Sequence, residues 1–217
     1  MCHKEAKVSL MGNYIIIHPQ NPQPRLVKQA AQIMDNGGIL VYPTDSVYGI
    51  GCKIGEKRSL ERIWNIRGLD KDHNFTLLCR DISEVALYAK LNNSNFRTLK
   101  AFTPGPFTFV LAASSELPRR LHHPKRKTVG IRIPNTPIIQ ALMNVLSEPI
   151  INMTFNLPDD EYGLSDAYEI KQQVGEQVDA IIDGGYCGIL PSTVVDLTGN
   201  VPNVVRQGIG DFGLSDQ

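Results

Sequence analysis

Apolar residues follow two alternating rhythms from residue 24 to about residue 200. Over 24–36, Leu26, Val27, Ala30, Ile33 and Met34 recur at intervals of three and four, which places them on one face of a helix, and Gly37 follows where a helix end favours glycine. Similar spacing predicts helices over 60–67, 83–91, 95–102, 137–146 and 167–175. Between them, short runs rich in Ile, Leu, Val and aromatic residues predict strands at 39–42, 75–79, 107–112, 128–133, 150–153, 180–182 and 193–197. This alternation predicts an α/β fold in which helices pack on a substantial sheet. Residues 1–12 and 213–217 read as loose termini flanking a single domain over 13–212.

The sharpest change of character lies between Gly37 and Gly51. A buried-strand pattern runs into Pro43, which cannot donate to a ladder, and then into Thr44, Asp45, Ser46 and Tyr48. Polar residues at a strand end in an α/β sheet are candidates for ligand binding. The competing reading is a Pro-Thr-Asp-Ser turn that satisfies its own backbone. Comparable polar, Gly and Pro punctuation borders an apolar run at 103–108, 127–134, 152–156, 191–197 and 204–208. Five further repetitions favour a shared site over unrelated turns.

Composition narrows the class. The 217 residues are 42% apolar and 20% charged, which is globular and sufficient for one sizeable core. Neither a signal-peptide core nor a run of the roughly 18 apolar residues that spans a bilayer is present, so a cytoplasmic protein without membrane contact is expected. Cys2, Cys52, Cys79 and Cys187 are too scattered for a disulfide framework or a zinc site. A net charge of zero hides a basic run of Arg119, Arg120, Lys125, Arg126, Lys127 and Arg132, with His122 and His123 among them and no carboxylate. Such a run attracts anions. Walker A, H-E-x-x-H and Ser/His/Asp patterns are absent. A G-x-G-x-x-G string at 208–213 has no helix after it to make a dinucleotide site. No metal ligand set is expected.

In their order along the chain, from about Pro24 to Asp211, the polar segments resemble the YrdC-like family, and above all its YciO branch. The resemblance implies a twisted, open, mixed sheet with a concave basic groove flanked by helices. It also implies ATP-dependent formation of threonylcarbamoyl-adenylate from L-threonine, bicarbonate and ATP with Mg²⁺, for N6-threonylcarbamoyladenosine modification of tRNA. By the same resemblance Ser46, Asn152, Arg132 and Ser192 would hold the substrate amino acid, with Arg132 facing its carboxylate. Asn74, Thr128, Thr154, Asn156 and Arg206 would hold the nucleotide, and Arg67 would act with Arg132 in catalysis. Two positions depart from the family pattern. Where a Lys-x-Arg pair follows a helix, this chain reads Arg67-Gly68-Leu69, and Cys79 stands at a substrate-side histidine position. Lys71, His73 or Arg80 could substitute from nearby. A second reading is an RNA-binding module without catalysis, holding double-stranded RNA or tRNA through Arg119, Arg120, Lys125 and Arg126. With 7% aromatic residues, stacking of single-stranded bases is disfavoured. The expected state is a monomer or weak dimer.

Overall fold

Ten strands form one open mixed sheet in the computed structural model, which describes residues 13–70, 75–118, 121, 127–157 and 164–213. In chain order the elements are β1 (Asn13–Ile16), α1 (Pro24–Asp35), β2 (Leu40–Tyr42), β3 (Gly49–Lys53), α2 (Lys57–Arg67), β4 (Thr76–Leu78), α3 (Ile82–Tyr88), α4 (Asn93–Phe102), β5 (Phe107–Ala112), β6 (Thr128–Arg132), α5 (Pro137–Leu146), β7 (Ile150–Thr154), α6 (Ala167–Val174), β8 (Ala180–Asp183), β9 (Thr193–Asp196) and β10 (Asn203–Arg206). Across the sheet the strands run β1-β8-β2-β3-β7-β4-β6-β5-β9-β10. β1 and β2 both lie parallel to β8, β4 to β6 and β5 to β9, while the remaining neighbours are antiparallel.

Strand alternation sends successive side chains to opposite faces. One face is covered along most of its length. Ile50, Leu77, Phe109, Leu111, Ile131, Ile151 and Val195 pack there with Leu60 and Ile63 of α2, Val85 of α3, Leu99 of α4 and Ile170 and Val174 of α6. The other face is covered at one end only, where Val27, Ala30 and Met34 of α1 and Ile138, Leu142 and Met143 of α5 close over Leu40, Tyr42, Leu78, Ile150, Ala180 and Ile182. Past that end, on β7, β4, β6, β5 and β9, the same face carries Thr154, Thr76, Thr128, Gly130, Val110 and Val194, all half-buried rather than sealed. A sheet face left without helices is where a ligand can lie.

Three strands were not expected from the sequence. β1 and β10 are four-residue edge strands, too short to show a period. β3 begins Gly49-Ile-Gly51, which reads as a loop because glycine is disfavoured in strands. Here the glycines are demanded by neighbours: a Cβ at Gly49 would collide with Asn152 Oδ1, and one at Gly51 with the Tyr42 hydroxyl and the Ile151 carbonyl. Tyr42 donates across the sheet to Asn152 Oδ1 at 2.9 Å, and both side chains fill the space that the glycines leave.

Candidate functional site

Arg132 is the centre of the polar cluster on the open face. It ends β6, its carbonyl accepts from the Cys79 amide at 2.9 Å, and its side chain is 5% exposed. Nη2 donates to Asp45, to Ser46 Oγ at 3.0 Å and to Thr44 Oγ1 at 3.4 Å. The Pro43-Thr-Asp-Ser segment therefore does two things at once. Thr44 Oγ1 donates to the Val47 carbonyl at 2.6 Å and accepts from the Ser46 amide at 3.2 Å, as a turn would. Because the single Thr44 proton is committed to Val47, Ser46 is the donor in the 3.1 Å Ser46–Thr44 pair. The turn is thus built around Arg132 rather than standing in place of a site.

Asp45 bridges two elements: its other carboxylate oxygen, Oδ2, accepts from the Asn135 amide at 2.9 Å, in the loop that follows β6. Gly188 lies where a Cβ would press on the Ser46 carbonyl, so the loop after β8 lies against this turn. From that loop the Cys187 thiol, pushed up to about 11 by burial, donates to the Thr44 carbonyl at 3.5 Å.

A second group sits on β5, β9 and β10. Ser192 Oγ and Thr108 Oγ1 are hydrogen-bonded at 2.9 Å, and Arg206 Nη2 donates to the Ser192 carbonyl at 2.8 Å. β10 pairs Val204 with Val195 and then Arg206 with Val194, so Val205 is a bulged residue. The bulge matters: it turns Arg206 away from the core face that Val195 occupies and onto the open face shared with Thr108. Desolvation by burial and the positive charge of Arg132 both lower the Arg206 pKa, which places the two guanidiniums within electrostatic reach.

Arg67 ends α2 and is 9% exposed. Its Nη1 donates to the Thr154 carbonyl at the end of β7, Nε is buried without a partner among the described residues, and burial alone lowers its pKa to about 10. No carboxylate pairs with Arg67 or Arg206 among the described residues, so Asp45 alone answers three site arginines. Burying positive charge without counter-ions is costly, and a bound anion would relieve that cost.

The structure brings together Ser46, Arg132, Ser192 and Arg206, with Asn152 on the same face. It sets Arg67 against Thr154, with the half-buried Asn156 next but one along the chain. Thr128 lies four residues before Arg132 on the open face. Asn74, Arg119, Arg120, Lys125 and Arg126, with Lys71 and His73, lie outside the described residues.

One departure and one suggested substitute take other tasks here. Cys79 faces the core with Leu77 and Val85 and is fully buried, so it offers nothing to the open face. Arg80 is held by Glu84 through its amide, Nε and Nη2 at 2.7, 3.0 and 2.8 Å, so it is spent as an ion pair. Leu69 also has a structural task. Gly68 adopts the left-handed conformation, the Leu69 amide donates to the Trp64 carbonyl at 2.9 Å and the Gly68 amide to Asn65 at 3.2 Å, a Schellman ending. The Leu69 side chain and Trp64 pack on the same core. Thr108 was missed, because a threonine opening a strand looks like any β-branched residue; the Thr-Pro-Gly-Pro-Phe-Thr string was the signal.

Comparison with known proteins now decides the family. The Sua5/YciO/YrdC family model, described as telomere recombination, matches residues 32–208. This chain belongs to the Sua5/YciO/YrdC family. It is 51% identical over 201 residues to the uncharacterized protein YciO of Escherichia coli K12, covering 93% of this chain and 98% of that protein. The crystal structure of E. coli YciO superposes with a TM-score of 0.89 over the same shares of the two chains. A threonylcarbamoyl-AMP synthase of Halorhodospira halophila is 27% identical over 172 residues, 79% of this chain and 89% of that one. P. abyssi Sua5 complexed with L-threonine is 26% identical with a TM-score of 0.83, covering 90% of this chain and 57% of Sua5. Among the described residues no group of three His, Cys, Asp or Glu gathers as a metal site, and no helix is long and apolar enough to cross a membrane.

Proposed function

We propose that this protein uses ATP to activate a carbamoylated amino acid as its adenylate, with L-threonine and bicarbonate as the other reactants, and so makes threonylcarbamoyl-adenylate for tRNA modification. One observation carries the reading: Arg132 and the more exposed Arg206 stand on the open face of the sheet, the buried Arg67 reaches the end of β7, and among the described residues Asp45 is the one carboxylate paired with any of the three. Such a site lacks negative charge, and a triphosphate together with a carboxylate supplies it.

Under this reading bicarbonate and the threonine amine give a carbamate with loss of water. A carbamate oxygen attacks the α-phosphorus, the bond from that phosphorus to the bridging oxygen breaks, and pyrophosphate leaves with the electron pair. No covalent enzyme intermediate is needed, and the protein's task is alignment and charge neutralisation. Arg132 and Ser46, with Ser192 and Asn152, hold the amino acid. Tyr42 occupies Asn152 Oδ1, so Asn152 offers its amide NH₂ group. Arg206, Thr154, Asn156, Thr128 and Asn74 hold the nucleotide, and Arg67 faces the phosphates. Mg²⁺ enters as the partner of ATP rather than as a resident ion.

The depth of the polar groups favours a small molecule over RNA. Ser46, Arg132 and Ser192 are each at most 5% exposed, below the reach of a duplex backbone. Incubation with ATP, L-threonine, bicarbonate and Mg²⁺, followed by measurement of pyrophosphate and adenylate, tests the reading.

A further inference from the structure

Asp45 has no role in the reading above, yet it touches the residue on which that reading turns. A guanidinium can grip a carboxylate with two prongs along two edges, Nε–Nη2 or Nη1–Nη2, and both edges contain Nη2. In Arg132, Nη2 has only two hydrogens to give and three oxygens around it, from Asp45, Ser46 and Thr44. A ligand carboxylate therefore cannot take either edge while Asp45 and Ser46 keep their places. Asp45 is well kept: it is paired with Arg132 on one oxygen, bonded to the Asn135 amide on the other, and its side chain is 13% exposed. A carboxylate approaching Arg132 consequently also approaches a fixed negative charge. That arrangement penalises a plain anion. It favours a molecule that carries a cation, or an N–H donor, on the carbon next to its carboxylate.

We propose that Asp45 is a specificity-determining residue that accepts a hydrogen bond from the ligand's α-amino group, while Arg132 meets the neighbouring carboxylate through one prong, so that the pocket selects α-amino acids over the matching hydroxy acids. Each Asp45 oxygen makes one recorded bond and keeps a second lone pair for this contact. The inference rests on the amino-acid reading of the Arg132 pocket and adds a residue and a rejection rule to it.

The test is equilibrium binding of two probes, L-threonine and (2S,3R)-2,3-dihydroxybutyrate, which differ only in amine against hydroxyl. Wild type should bind L-threonine at least about tenfold more tightly, the effect of one well-formed charged contact. In Asp45→Asn the ratio should fall to about threefold or less, with ATP affinity unchanged. A ratio preserved in Asp45→Asn, even with both affinities lowered equally, would leave Asp45 a purely structural clamp and overturn the inference while sparing the amino-acid pocket. A wild-type ratio near one would overturn it whatever the variant does, including failure to fold. Binding of neither probe to wild type would overturn the amino-acid reading and the inference with it.

Discussion

Arg206 Nη2 donates to the backbone carbonyl of Ser192 at 2.8 Å, joining the edge strand β10 to the turn that precedes β9. The bond uses one prong of a guanidinium whose charge is already disfavoured by burial and by Arg132. An anion on its remaining prongs restores that charge. Arg206→Ala should therefore lower ATP affinity at least about tenfold, the loss of one charge-assisted contact. Calorimetry giving equal ATP affinity for wild type and variant would contradict this placement.

Arg67 predicts a trade between stability and binding. Among the described residues its buried charge has no carboxylate partner, and its hydrogen bond goes to the Thr154 carbonyl. Replacing an uncompensated buried charge by an apolar side chain of similar length is often neutral or stabilising. Arg67→Met should show a Tm equal to or above that of wild type, yet lose the rise in Tm that ATP with Mg²⁺ gives wild type. Thermal melts with and without nucleotide decide it, and a retained nucleotide shift would remove Arg67 from the phosphate site.

The Schellman ending at Gly68 sets what Leu69→Arg can do. The Leu69 amide keeps its bond to Trp64 whatever the side chain, so the helix end should survive, while the lost packing on the core costs about 1 kcal/mol, or a few degrees of Tm. If the apolar residue at this position limits turnover, pyrophosphate release should rise by roughly an order of magnitude. A folded, ATP-binding variant with no gain would place the rate deficit elsewhere. Cys79 is not the place to look, since it faces the core.

Gly51→Ala tests the packing that supports the site. A Cβ there would meet the Tyr42 hydroxyl and the Ile151 carbonyl, and the backbone oxygen cannot move aside as a flexible side chain would. Overpacking of this kind costs about 2 kcal/mol, which lowers Tm by about 4–8 °C in a domain of this size. Differential scanning calorimetry measures it; an unchanged Tm would mean that β3 yields more readily than its close neighbours suggest.

The main strands and the six helices were legible because each carries a regular apolar period, and the Pro43 to Tyr48 cluster because it interrupts one. β3 was hidden by Gly49 and Gly51, whose reason lies in Tyr42 and Asn152 on neighbouring strands. The bulge that turns Arg206 to the open face leaves no mark in Asn203-Val-Val-Arg206, since it exists only relative to β9. Asp45 was visible as a candidate without a role, because its task depends on Arg132, distant along the chain and adjacent only in the fold. Local pattern thus placed residues near the site, while pairing across strands gave them their geometry.

Arg132 is the most direct test of the central claim. Purified wild-type protein given ATP, L-threonine, bicarbonate and Mg²⁺ should release pyrophosphate in step with formation of threonylcarbamoyl-adenylate. Arg132→Ala should lose at least about a hundredfold of that rate, as expected when a charged contact to the substrate carboxylate is removed and the Asp45 charge is left unpaired. Pyrophosphate release that is absent from wild type, or that continues undiminished in a folded Arg132→Ala, would contradict the account.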